Sequence, residues 1–184
     1  MSMIHSQKFV KKYMRLAAFI AEENTACPSR KLGAIIVDPN HKIRGIGYNG
    51  PPAGSPHCNT LEYLLNVVEP LLTDDQRDSL KLAYGTVDDA LSHCVGCPRK
   101  FLGYGPGEFP DMCSCQHAES NAIINAACDV SGCVMYCTLI PCVSCTGKII
   151  NARLAEVHYP AGQVYQPQVE YLFQATQIRR YAHT

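Results

Sequence analysis

The sequence has no excess of charge of either sign: 16 Lys and Arg balance 16 Asp and Glu. That removes a general electrostatic attraction to nucleic acid, which rests on Lys and Arg neutralising phosphates, although a local basic patch stays open. The chain also lacks any apolar run near the roughly 18–20 residues that a membrane helix needs. Met1–Gln7 has no apolar h-region and does not read as a signal peptide. Internal repeats, low-complexity tracts and linkers are missing too. These absences lead us to expect a soluble, cytoplasmic protein. The 184 residues, 47% of them hydrophobic, suit one domain with one substantial core.

Cysteine is plentiful instead, with 11 residues. An odd count in a chain without export signals argues against a disulfide framework. Cys128, Cys133 and Cys137 sit among apolar residues and read as small core hydrophobes. Cys94-Val-Gly-Cys97, Cys113-Ser-Cys115 and Cys142-Val-Ser-Cys145 lie beside Gly, Pro and Ser, where metal ligands are usually placed.

Helical periodicity of Phe9, Tyr13, Leu16, Ala17 and Ile20 predicts a helix over Ser6–Glu23. Leu32–Val37 and Ile43–Tyr48 read as strands joined by the Asp38-Pro39-Asn40 turn. Gly50–Pro56 must be a loop. Weak helices are expected at Leu61–Val68 and Thr73–Ala83, with Thr73 as N-cap before Asp74 and Asp75. The stretch Gly96–Pro110 reads as irregular, and Ser114 as the cap of a helix through Cys128. A strand at Val134–Leu139, a helix at Cys142–Ala152, a strand at Glu156–Tyr159, a helix at Pro167–Ala175 and a strand at Gln177–Tyr181 complete an alternating pattern, which points to a layered α/β domain. His5, His41 and His183 read as solvated, His57 and Cys58 as local structure, and Arg179-Arg180 as a charged edge.

Two motifs carry chemistry. His117-Ala118-Glu119 and Pro141-Cys142-Val143-Ser144-Cys145 form the H-x-E … P-C-x-x-C signature of zinc nucleobase deaminases. One imidazole and two thiolates hold Zn²⁺ and leave a fourth position for water, whose pKa the metal lowers until hydroxide is available near neutral pH. Glu119 is not a ligand in this scheme but the proton shuttle. Both motifs fall at predicted helix starts, where the helix dipole favours thiolate over thiol. The competing reading is a structural zinc site with Glu119 merely solvated; it lacks a fourth ligand.

With these residues the chain resembles the deoxycytidylate (dCMP) deaminase family of phage and bacterial type. The resemblance extends through Cys27–Ala34, the Gly47-Tyr48-Asn49-Gly50-Pro51-Pro52-Ala53-Gly54 loop, His117–Ile123 and Met135–Leu139, over about residues 8–160. It implies a three-layer α/β/α fold with a mixed sheet of about five strands, in a single deaminase domain, 1–184, with an insertion at about 59–112. It implies hydrolysis of dCMP to dUMP and ammonia, feeding thymidylate synthesis. Another cytosine nucleotide or nucleoside as substrate, a non-catalytic zinc-binding nucleotide sensor, and a polynucleotide deaminase are the rival readings.

By the same resemblance Asn49 would contact the deoxyribose, Ala118 and Glu119 would read the cytosine edge, and Tyr165 would pack on the substrate. Some family members hold a second, structural zinc. Cys27, Cys94, Cys97 and Cys115 match its places here, with Cys113 as the competing fourth thiol. Family members are oligomers, typically hexamers, activated by dCTP and inhibited by dTTP. Gly47, Tyr48, Gly50 and Gly54, with Arg30 and Lys31 nearby, would form the effector region, and Mg²⁺ would accompany a triphosphate effector.

Overall fold

The computed structural model describes residues 3–105, 108–162, 166–176 and 178–184. Helix α1 (Gln7–Asn24) leads into strands β1 (Gly33–Val37) and β2 (Ile43–Tyr48). Short helical pieces follow: α2 (Leu61–Tyr63), which tightens into further turns to Leu71, then α3 (Asp74–Tyr84), α4 (Val87–Ser92), α5 (Pro98–Phe101) and a single turn at Pro110–Met112. The chain closes with α6 (Ala118–Ala126), β3 (Val134–Cys137), α7 (Val143–Asn151), β4 (Glu156–Pro160), α8 (Pro167–Ala175) and β5 (Arg179–His183). It gathers into two compact units. One comprises Met1–Thr25, Lys31–Asn49 and Gln116–Thr184, the other Ala26–Arg30 and Gly50–Cys115.

The first unit is built on a five-stranded sheet in the order β2-β1-β3-β4-β5. Strands β2, β1 and β3 run antiparallel, while β3, β4 and β5 are parallel. Every residue of β1 is buried, because alternate side chains leave opposite faces of a strand and both faces are covered. Ile35 and Val37 pack with Val10, Tyr13 and Ala17 of α1. Ala34 and Ile36 share the other core with Ala122 of α6, Ile149 of α7 and Phe173 of α8. This is the three-layer α/β/α arrangement with a mixed five-stranded sheet, as the sequence leads one to expect.

Two glycines of β2 let α6 descend onto the sheet. A Cβ at Gly47 would lie 2.1 Å from the Ala118 carbonyl oxygen, and one at Gly45 would lie 2.1 Å from that of Ala122. From above, Asn121 and Asn125 of α6 donate their side-chain amides to the carbonyls of Tyr48 (2.8 Å) and Ile46 (2.9 Å).

Beneath α1 the sheet carries a buried polar layer that the sequence hides. His5 is only 1% exposed, not solvated. Its ring meets the Tyr136 hydroxyl at 2.7 Å and the Asp38 carbonyl at 2.9 Å, so the N-terminal segment is locked under the sheet rather than free in water. Glu156, fully buried, accepts from the Ile4 amide (2.9 Å) and Arg179 (2.7 Å) and faces His158 (3.2 Å). His158 in turn meets His183 at 2.8 Å. Arg180 pairs with Glu170. The two arginines are thus cross-linked to acidic partners and His183 to a histidine. Gln177, at the expected start of the last strand, lies outside the described residues.

The second unit is a set of short helices around Leu64, Val68, Leu72, Leu91, Cys94 and Met112. Thr73 caps α3 in a reciprocal box with Gln76, and Asp74-Asp75 and Asp88-Asp89 occupy first helical turns, where the dipole favours them. Ser114 does not cap a helix. Helix α6 starts at Ala118 with His117 as its N-cap, since the preceding chain is extended at Cys113 and carries two thiols into this second unit.

Candidate active site

His117 and Cys142 occupy matching positions: each is the N-cap of a helix, in extended backbone conformation, His117 before α6 and Cys142 before α7. Cys145 follows in the first turn of α7, 1% exposed. The Nδ1 of His117 lies 3.4 Å from the Cys142 sulfur and 3.3 Å from that of Cys145. The three ligand atoms all fall within 4.8 Å of one another, the one such group among the described residues. A tetrahedral zinc with ordinary Zn–N and Zn–S bonds spaces nitrogen and sulfur by about 3.5 Å, so the donor set and its spacing fit that metal. His117 is exposed and Cys142 half-buried, which keeps one side of the cluster reachable.

The electrostatics follow from the crowding. The Cys142 thiol is pulled down to about 3 by the hydrogen bond from Cys145 and then by His117, while the Cys145 thiol goes up as the proton-bearing partner. His117 is raised, first by its bond to Cys142. Glu119, 6% exposed, has its carboxyl raised by burial, which moves a general acid–base toward working pH.

Other expected residues also make structural contacts. Asn49 is buried, and its Oδ1 accepts from the Leu32 amide (2.8 Å) and the Thr25 hydroxyl (3.1 Å). It therefore ties the end of β2 to the entry of β1. The Ala118 side chain belongs to the core, which leaves its backbone as the part able to meet a ligand. Tyr165 lies outside the described residues. Gly47 is needed for the approach of α6. Lys31 pairs with Glu22 at 2.5 Å. In the second unit Gly50 has space, a Cβ there meeting only Ala26 at 3.8 Å, and Gly54 takes a left-handed φ of +78°.

The second unit also holds a thiol cluster. Cys115 is the hub. Its thiol is raised by hydrogen bonds to Cys113, Cys27 and Cys58, in that order of effect. Those bonds pull Cys27 to about 5 and Cys113 to about 6, and Cys58 is lowered for the same reason. Cys94 instead turns its thiol to the Gly96 carbonyl at 3.8 Å. The hub thus brings Cys58 to Cys27, Cys113 and Cys115, whereas the sequence reading named Cys94 and Cys97 with Cys27 and Cys115. Sequence reasoning favoured the Cys-x-x-Cys spacing, whereas the fold brings a lone cysteine from beside a proline-rich loop to the hub. Ser120 and Lys148, beside the His117 cluster, also went unnoticed; their only signal was adjacency to the motifs.

The family model for the cytidine and deoxycytidylate deaminase zinc-binding region matches residues 7–161. The chain belongs to this deaminase family. A deoxycytidylate deaminase of Schizosaccharomyces pombe is 28% identical over 92% of the chain and 43% of its own length. One from Pongo abelii is 33% identical over 79% of the chain and 61% of its own length. This deaminase-family chain thus spans less than two thirds of those relatives. The deoxycytidylate deaminase of Mycobacterium phage D29 is closer in size, at 27% identity over 81% of the chain and 92% of its own length. The dCMP deaminase of cyanophage S-TIM5, solved with dCMP and dUMP, shares the fold with a TM-score of 0.61 at 20% identity, covering 97% of this chain and 99% of that one. Among the described residues no helix is long and apolar enough to cross a membrane.

Proposed function

We propose that this chain is a dCMP deaminase, converting dCMP and water to dUMP and ammonia. The observation that carries the reading is the His117 Nδ1 set 3.3 and 3.4 Å from two thiols at paired helix starts, with the buried Glu119 two residues on. His117, Cys142 and Cys145 would hold zinc. When bound, the metal supplies the acidity that makes water a nucleophile near neutral pH. Glu119 takes a proton from the attacking water, places it on ring N3 so that C4 becomes electrophilic, and later delivers a proton to the departing amino group. The Ala118 and Glu119 backbone amides, in the first turn of α6, face the base edge. By the family resemblance, Asn49 would contact the sugar and Tyr165 would pack on the substrate.

The dCMP specificity rests on the deoxycytidylate deaminases among the relatives. The family match, running through residues of both units, supports one deaminase domain, 1–184, with residues of about 59–112 as an insertion. A second, structural zinc on Cys27, Cys58, Cys113 and Cys115 extends the reading, because four thiolates form a closed tetrahedral site. All eleven cysteines are free thiols, which suits a cytoplasmic enzyme. Regulation by dCTP and dTTP, with Mg²⁺ on the triphosphate, and assembly into a homo-oligomer such as a hexamer belong to the same proposal. Gly50 and Gly54 retain the freedom an effector loop needs. Ammonia release from dCMP, dCTP, deoxycytidine and CMP tests it: dCMP should be preferred, and no release from any of the four would overturn it.

A further inference from the structure

Helices α6 and α7 are joined by a hydrogen bond that the deamination scheme does not use. The Lys148 ammonium, three residues beyond Cys145, donates to the Ser120 hydroxyl at 2.8 Å. Ser120 is 3% exposed, and its Oγ lies 3.8 Å from the Cys145 sulfur. An ammonium only donates, so Ser120 must accept from Lys148 and its own hydrogen is directed elsewhere. A metal-bound Cys145 is a thiolate and can only accept. The polarity of the chain is therefore fixed: Lys148 to Ser120 to Cys145.

We propose that Lys148, acting through Ser120, is a positioning residue for the Cys145 thiolate. The inference rests on the zinc reading of the cluster. The relay draws electron density from one sulfur and leaves the metal a stronger Lewis acid. Partners of metal ligands typically change metal affinity or activity by about 10–100-fold when removed. Lys148 also sits in the last turn of α7, where a cation stabilises any helix. Ser120→Ala separates the two roles, because it breaks the relay and leaves that charge in place.

The test compares wild type, Lys148→Met, Lys148→Arg and Ser120→Ala by zinc competition against a chelator and by the thiolate-to-metal charge-transfer band after cobalt substitution. The band is read as the difference from Cys142→Ser, which keeps the thiols of the second unit. Lys148→Met and Ser120→Ala should each weaken zinc retention about 10-fold and move the band to lower energy. Lys148→Arg should restore both. A band and zinc affinity unchanged in Ser120→Ala and Lys148→Met would overturn the inference. A wild-type chain that takes up no cobalt at this cluster would overturn the zinc reading itself, and this inference with it.

Discussion

The two sulfur clusters are made from similar chemistry and set to opposite ends. In the first unit, two thiols and one imidazole sit at helix N-termini beside a buried carboxyl. In the proposed scheme three donors would leave a fourth position for water, and Glu119 would exchange protons there. In the second unit, Cys27, Cys58 and Cys113 gather on Cys115; as four zinc ligands, the proposed set would leave nothing for a substrate. The second unit is a collection of helices of 11 residues or fewer around a small apolar core. A unit with so little burial gains most from a metal clamp. On the proposed assignment the number of protein ligands, more than the metal, would separate catalysis from bracing.

The sharpest way to break this comparison is at Glu119. Glu119→Gln should lower kcat by about 10²–10⁴-fold, the usual worth of a positioned acid–base group, with zinc content unchanged by elemental analysis. Activity within tenfold of wild type would remove the shuttle, and loss of metal would make Glu119 structural. Next comes the clamp. Fresh, chelator-free protein should carry two zinc ions per chain. Cys58→Ser should lose one and lower Tm by about 5–10 °C, the equivalent of about 2–3 kcal/mol in a chain of this size, while dCMP turnover at a temperature where it stays folded persists. Cys94→Ser should keep both ions, and the reverse pattern would return Cys94 to the ligand set.

A smaller effect lies in the polar layer under α1. Burial holds His158 down at about 4, so the folded chain resists protonating it while the unfolded chain takes the proton near 6.5. The folded state is favoured above this window and loses stability as pH falls from about 6.5 to about 4, by at most about 3 kcal/mol. His5 and His183, also lowered by burial, act in the same direction. Denaturant midpoints across this range at saturating zinc should fall less steeply in His158→Phe; parallel slopes would remove His158 from the acid response. The smallest expected effect is at Gly50, where a Cβ meets only ordinary contact. Gly50→Ala should change stability by less than about 0.5 kcal/mol, whereas Gly47→Ala drives a methyl into the backbone of α6 and should cost about 1–3 kcal/mol.

Local pattern accounts for what was legible in the sequence. The β2 and α8 boundaries agree to the residue, because the Asp38-Pro39-Asn40 turn and Pro167 mark their starts. The His-x-Glu and Pro-Cys-x-x-Cys motifs are read from spacing alone, since each belongs to one helix start. What stayed hidden depends on contacts between distant segments. Nothing around His5 announces that Tyr136, 131 positions away, will receive it. Cys58 looked incidental because its three partners lie 31, 55 and 57 residues off, at Cys27, Cys113 and Cys115. Ser114 had the chemistry of a helix cap but stands between two thiols committed elsewhere.

The two asparagine amides above β2 reach beyond the architecture of the site. In the observed register the carbonyls of Ile46 and Tyr48 point away from β1, and β2 is an outer strand of the sheet. Such carbonyls are where a foreign strand would begin to zip on, the usual opening to aggregation in sheet proteins. Asn121 and Asn125 already occupy them. The two amides thus make continuation of the sheet from one molecule into the next less favourable here, and leave Ile46, Tyr48 and Ile124 as exposed side chains at this border.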